Sequence, residues 1–147
     1  MTLQEILETA VKHNASDIHL TVGVPPILRI HKELVRLGTE NLTQEETKEM
    51  AFTLMNDKQR ESFLDKLEID FSYSLSNLAR FRVNIFMQRN SMSIALRRIP
   101  FDIPSIDSLG VPIISHDLIK SERGLFLVTG PTGHGKSTTL ASMIEEI

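Results

Sequence analysis

The chain has 147 residues, a formal net charge of −3 and a pI near 5.9, with 41% hydrophobic and 24% charged residues. That balance suits a soluble globular chain of one domain, or a small domain plus part of another, and it supplies no general basic charge to attract nucleic acid. The absence of cysteine excludes disulfides and thiolate metal sites within these residues, and no apolar stretch reaches the ~20 residues of a membrane span or forms a signal-peptide core, so the expected location is cytoplasmic.

Thr2-Leu3-Gln4-Glu5 is a capping box, and Leu3, Ile6, Leu7, Ala10 and Val11 follow at helical spacing, predicting an amphipathic helix that ends near Asn14. Ile18, Leu20 and Val22 then alternate with Asp17, His19 and Thr21, the pattern of a half-buried strand. Gly23-Val24-Pro25-Pro26 turns the chain into a further pair of strands, Ile27–Ile30 and Leu34–Arg36, around Lys32-Glu33. A second capping box, Thr43–Glu46, opens a helix that turns Met50, Ala51, Leu54 and Met55 inward. Asp57 is placed to cap a third helix with Phe63, Leu64 and Leu67 as its buried stripe.

From Asp70 the period becomes two. Phe71/Tyr73/Leu75, Phe81/Val83/Ile85/Met87 and Met92/Ile94/Leu96 describe a three-stranded antiparallel meander with turns at Ser76-Asn77 and Arg89-Asn90. Helix and strand signals are segregated, which predicts an α+β domain over residues 1–99. Pro100, Pro104, Gly110 and Pro112 mark 100–112 as a proline-rich linker, with a short helix expected over Ile113–Lys120.

A second domain begins at 113–147 and contains the most specific motif. Gly130-Pro131-Thr132-Gly133-His134-Gly135-Lys136-Ser137 reads G-x-x-x-x-G-K-S, a loop whose glycines let backbone N–H groups turn around phosphates. Lys136 would place an ammonium at the outer phosphates and the Ser137 hydroxyl could ligate Mg²⁺. Leu125–Thr129 suits a buried parallel strand before the loop, and Ser137–Ile144 a helix behind it. A P-loop domain needs further strands and a later acidic Mg²⁺ ligand, so the chain is expected to be the front part of a longer protein and catalytically incomplete alone.

The meander makes one geometric demand. A turn centred on Arg89-Asn90 sets Arg82 opposite Arg97, with Arg80 beside them, on the face away from Phe81/Val83 and Ile94/Leu96. Like charges directly opposite repel, so an anion is expected over them, either a carboxylate or a phosphate. The loop that follows suggests an arginine-finger role toward a triphosphate.

Ala15–Leu20, Pro25–Arg29, Ala79–Asn84, Arg98–Pro100 and Gly130–Thr138 occur in an order and at separations that resemble the N-terminal half of the PilT-type pilus retraction ATPases of the secretion-ATPase superfamily. The resemblance implies a PAS-like N-terminal domain followed by the start of a RecA-like α/β domain. It also implies a homo-hexameric ring with ATP and Mg²⁺ between the domains. A type IV pilus platform protein at the cytoplasmic face of the inner membrane is the implied partner. By position, Arg82 and Arg97 match the family's phosphate-sensing arginines, and Lys136, Ser137 and Thr138 its phosphate and Mg²⁺ ligands. His134 departs from the small residue usual there. The short N-terminus resembles retraction motors more than extension or secretion ATPases; the alternatives are those two, and a non-catalytic assembly module.

The remaining features are blander. His13, His19, His31, His116 and His134 share no metal-ligand spacing. His19 is expected to make a local polar contact near Asp17, Asp70 and Glu68 to be solvated at a strand start, and Met50, Met55, Met87 and Met92 to fill core. The phenylalanines do not interleave with a basic stripe, which argues against a nucleic-acid platform.

Overall fold

A computed structural model describes the chain apart from residues 77, 100–102 and 132–133. The chain separates into two compact units, Met1–Pro100 and Phe101–Ile147. The expected Ser76-Asn77 turn, the first residues of the linker, and Thr132 and Gly133 of the loop therefore fall wholly or partly outside the described residues.

In the first unit, helices α1 (Leu3–Lys12), α2 (Gln44–Leu54) and α3 (Asp57–Lys66) accompany strands β1 (Asp17–Leu20), β2 (Ile27–Ile30), β3 (Glu33–Arg36), β4 (Glu68–Leu75), β5 (Ala79–Gln88) and β6 (Ser91–Ile99). The strands form one sheet in the order β3-β2-β1-β6-β5-β4, and every pairing is antiparallel. This α+β architecture follows from the pattern: one face of the sheet is apolar and three amphipathic helices supply the matching apolar stripes. Ile6, Leu7, Ile18, Leu20, Phe63, Phe81, Val83, Ile85, Ile94 and Leu96 are essentially inaccessible and belong to one core.

All three helices begin with reciprocal capping boxes: Thr2 with Glu5, Thr43 with Glu46, and Asn56 with Gln59. The third corrects the expectation that Asp57 caps α3. Asn56 takes the extended cap conformation and its Oδ1 accepts from Gln59 N at 2.9 Å, which puts Asp57 one residue inside the helix. The stripe of α3 is also narrower than its sequence suggests. Only Phe63 is buried, while Leu64 and Leu67 are 63% and 53% exposed; Leu67 adopts φ 59 as the helix's left-handed cap, which turns it out of the helical stripe.

Two tight turns set the register. His31-Lys32 (φ 48 and 74) joins β2 to β3, one residue earlier than expected, and Arg89-Asn90 (φ 49 and 62) joins β5 to β6 as expected. Paired positive φ values match the right-handed twist of hairpin strands. At the end of α1, Asn14 has φ 54, and Arg98 on β6 donates to Asn14 Oδ1 at 2.8 Å, tying helix to sheet.

The second unit holds a 3-10 helix (Ile106–Leu109), α4 (Ile114–Ile119) and α5 (Lys136–Glu145). Its buried residues are few: Ile106, Ser115, Ser142 and Met143 among those described. Ser142 Oγ donates to Pro104 O at 2.7 Å and Thr138 O at 2.9 Å, holding α5 to the segment before the 3-10 helix. His116 is gripped between Asp107 (3.0 Å) and Glu146. The expected buried strand over Leu125–Thr129 does not form. These residues lack ladder partners, and Leu125, Phe126 and Leu127 are 84%, 49% and 70% exposed. A parallel strand exists only through its neighbours, and no described residues supply them.

Candidate functional site

The sheet's second face carries a charged row. Register places Arg29 (β2) opposite Asp17 (β1), Asp17 opposite Arg97 (β6), and Arg97 opposite Arg82 (β5). The row thus runs cation, anion, cation, cation across four neighbouring strands. Sequence parity alone locates the two facing arginines; it misses that Asp17 separates two of the three cations, because strand order is invisible before the sheet is assembled.

Carboxylates sit over the arginines. Arg82 Nε and Nη2 donate to Asp70 at 2.8–3.1 Å, a diagonal pair, since Asp70 itself opposes Asn84 on β5. Asp70 is therefore not merely solvated, as its place near a strand start suggests; Glu68 accepts from Asn84 Nδ2 at 3.2 Å. Arg97 Nε donates to Asp17 Oδ1 at 3.0 Å, Arg29 Nε approaches Asp17 Oδ2 at 3.4 Å, and Ser16 Oγ donates to the same carboxylate at 2.8 Å. Arg82 and Arg97 remain 66% and 73% exposed, whereas Asp17 is only 14% exposed.

The electrostatics follow. Burial opposes the charged form of Asp17, but the Ser16 hydroxyl, Arg97 and Arg29 outweigh it and hold the carboxyl below its ordinary value. Hydrogen bonding from Arg82 lowers Asp70 and raises Arg82 in turn. An open cleft of about 240 Å³ lies here, lined by Asp17, His19, Asp70, Arg82, Asn84 and Arg97 among others. The face can bind an anion wherever a guanidinium is released from its carboxylate.

The second cluster is in the other unit. Gly130 (φ 144) and Gly135 (φ 81) adopt conformations that side chains avoid, and an added Cβ at either would meet nothing within 4 Å. The backbone at these two glycines is thus approachable. Gly135 caps α5 without a side-chain hydrogen bond, so the first amides of this helix keep their donor capacity. Lys136 Nζ donates to Pro131 O at 2.6 Å. Gly130, Pro131, His134, Gly135, Ser137 and Thr138 are exposed; Lys136 is half-buried. Donor amides, an ammonium and hydroxyls at a helix start form a set chemically suited to a polyphosphate. Thr132 and Gly133 lie outside the described residues.

Comparison with known proteins settles the family. A model of the type II/IV secretion system protein family matches residues 1–147. The chain belongs to this family. It is 40% identical over 145 residues to the type IV pilus retraction ATPase PilT of Pseudomonas aeruginosa, covering 99% of this chain and 42% of that protein. It is 43% identical over 122 residues to a twitching motility protein of Neisseria gonorrhoeae, covering 83% of this chain and 33% of the relative. A crystal structure of the pilus retraction motor PilT with bound ADP superposes with a TM-score of 0.87 at 40% identity, over 99% of this chain and 43% of that one. The chain thus spans about two fifths of the length of the PilT it matches. No described helix is long and apolar enough to cross a membrane.

Proposed function

We propose that this chain forms the N-terminal part of a homo-hexameric ATPase that powers type IV pilus retraction. The observation that carries the proposal is the 40% identity to a retraction ATPase along 99% of the chain. The charged sheet face and the glycine-framed helix start support it, because each offers a component that ATP chemistry needs. On this reading the first unit is the PAS-like domain, residues 100–112 form the hinge, and 113–147 open a RecA-like P-loop domain. The complete protein would work at the cytoplasmic face of the inner membrane, against a pilus platform protein.

In the mechanism that follows, Gly130–Thr138 bind ATP. Backbone amides of the loop and of the first turn of α5 hold the phosphates, and Lys136 leaves Pro131 O to engage the outer ones. Ser137 Oγ would hold Mg²⁺, whose chemistry when bound is to neutralise charge on the phosphate oxygens. Arg82 and Arg97 reach the outer phosphates and stabilise charge there as it redistributes. Loss of those charge-assisted bonds after hydrolysis lets the domains rotate about the hinge, converting chemistry into movement.

Lys136→Ala in the complete protein tests the assignment. ATP turnover is expected to fall to background, and turnover at the parental rate would refute it. Arg82→Ala or Arg97→Ala is expected to lower turnover while leaving nucleotide binding largely intact.

A further inference from the structure

The two arginines that face each other on β5 and β6 are held in different ways. Arg82 lays one side of its guanidinium along the sheet, with Nε and Nη2 both bonded to Asp70 at 2.8–3.1 Å. Arg97 meets Asp17 through Nε at 3.0 Å, and its terminal nitrogens make no hydrogen bond to that carboxylate. The two carboxylates also differ. Asp70 is 42% exposed and has Arg82 as its cation, whereas Asp17 is 14% exposed and is further fixed by Arg29 and the Ser16 hydroxyl.

An exposed ion pair in water is weak, and a phosphate, like a carboxylate, can accept a guanidinium fork through two charge-assisted bonds. Arg82 must leave Asp70 to offer its Nε–Nη2 edge, the one now bonded, to an anion above the sheet. Arg97 need not leave Asp17. We propose that Asp70 is a positioning residue that competes with nucleotide phosphate for Arg82, while Asp17 is a fixed mount that presents Arg97 without competing. The carboxylates thereby set the two arginines to different tasks: one exchanges partners with each nucleotide, and the other keeps its partner throughout. This inference rests on the nucleotide-motor reading above and adds residues to it.

The different effects of the two aspartate substitutions on affinity provide the test. Binding of a fluorescent non-hydrolysable ATP analogue is measured on the complete protein, alongside turnover, for Asp70→Asn, Asp17→Asn, Arg82→Ala and the Asp70→Asn/Arg82→Ala double variant. Asp70→Asn is expected to tighten the analogue by about two- to five-fold, the scale of an exposed ion pair. The gain should vanish in the Arg82→Ala background. Asp17→Asn is expected to give no gain in affinity and to lower turnover, because Arg97 loses its mount. Asp70→Ser serves as the second variant should the asparagine disturb folding, since lost structure cannot produce tighter binding. If Arg82→Ala lowers turnover but neither Asp70 variant tightens the analogue, or the gain survives without Arg82, or Asp17→Asn gives the same gain, the exchange is wrong and the motor reading stands. If Arg82→Ala changes neither affinity nor turnover, the arginine role itself fails and takes this inference with it.

Discussion

The two units are built on opposite terms. In Met1–Pro100, three capped helices close over one face of a six-stranded sheet, and Ile18, Leu20, Phe81, Val83, Ile85, Ile94 and Leu96 on β1, β5 and β6 are almost wholly inaccessible. In Phe101–Ile147, apolar residues such as Ile113, Leu125, Leu127 and Ile144 remain 70% exposed or more, and a few hydrogen bonds connect short helices. The first unit is organised by burial and the second by local polar ties. Hydrophobic burial is cooperative and strong, while exposed polar ties are individually weak. The difference teaches where stability should lie.

The sharpest way to break this contrast is to remove one large side chain from each unit. Phe81 is fully inaccessible, so Phe81→Ala should cost about 3–5 kcal/mol in urea unfolding followed by tyrosine fluorescence. Met143→Ala, in the sparse second unit, should cost about 1 kcal/mol or less, because its surroundings can collapse. Equal losses at the two positions would mean that the second unit has a core of its own. A smaller effect than at Phe81 is expected at the α2 cap. Thr43 Oγ1 accepts from Glu46 N at 3.2 Å, and Thr43→Ala should lower stability by about 1 kcal/mol in the same titration. No loss there would show that burial alone holds α2.

The pH dependence should separate the units further, with still smaller effects. His116 is raised above its ordinary 6.5 by Glu146 and then Asp107. Its clamp is therefore fully present below that value and is lost as pH rises through the raised one. Asp17 runs the other way. Its contribution is present above its ordinary 3.8 and disappears as pH falls through its lowered value. Hydrogen exchange across a pH series should show α4 and α5 opening first toward mild alkali and the β1–β6 seam first toward acid. A common order of opening in both directions would erase the distinction.

Much of the first unit is legible in the sequence because its signals are local. Capping boxes mark α1 and α2, period-two runs mark β4–β6, and the Arg89-Asn90 turn fixes which arginines meet. What the sequence hides depends on assembly. Asp17 neutralises Arg97 only because β1, eighty residues away, inserts beside β6, and Asp70 reaches Arg82 only through the diagonal of the β4–β5 pairing. Leu64 and Leu67 look like core by spacing, yet α3 meets the core through Phe63 alone among its residues. Leu125–Thr129 has the composition of a buried strand, but composition does not provide the neighbours that make one. The G-x-x-x-x-G-K-S motif is plain in the sequence, whereas the hold of Lys136 on Pro131 O is a property of the folded loop.

The most direct test is a crystal structure of the complete protein with a non-hydrolysable ATP analogue. The expected result is a triphosphate against the amides of Gly133–Thr138, with Lys136 Nζ released from Pro131 O and Arg82 and Arg97 within hydrogen-bond distance of the outer phosphates. A triphosphate bound elsewhere, with Arg82 still on Asp70 and neither guanidinium near the phosphates, would contradict the proposed site.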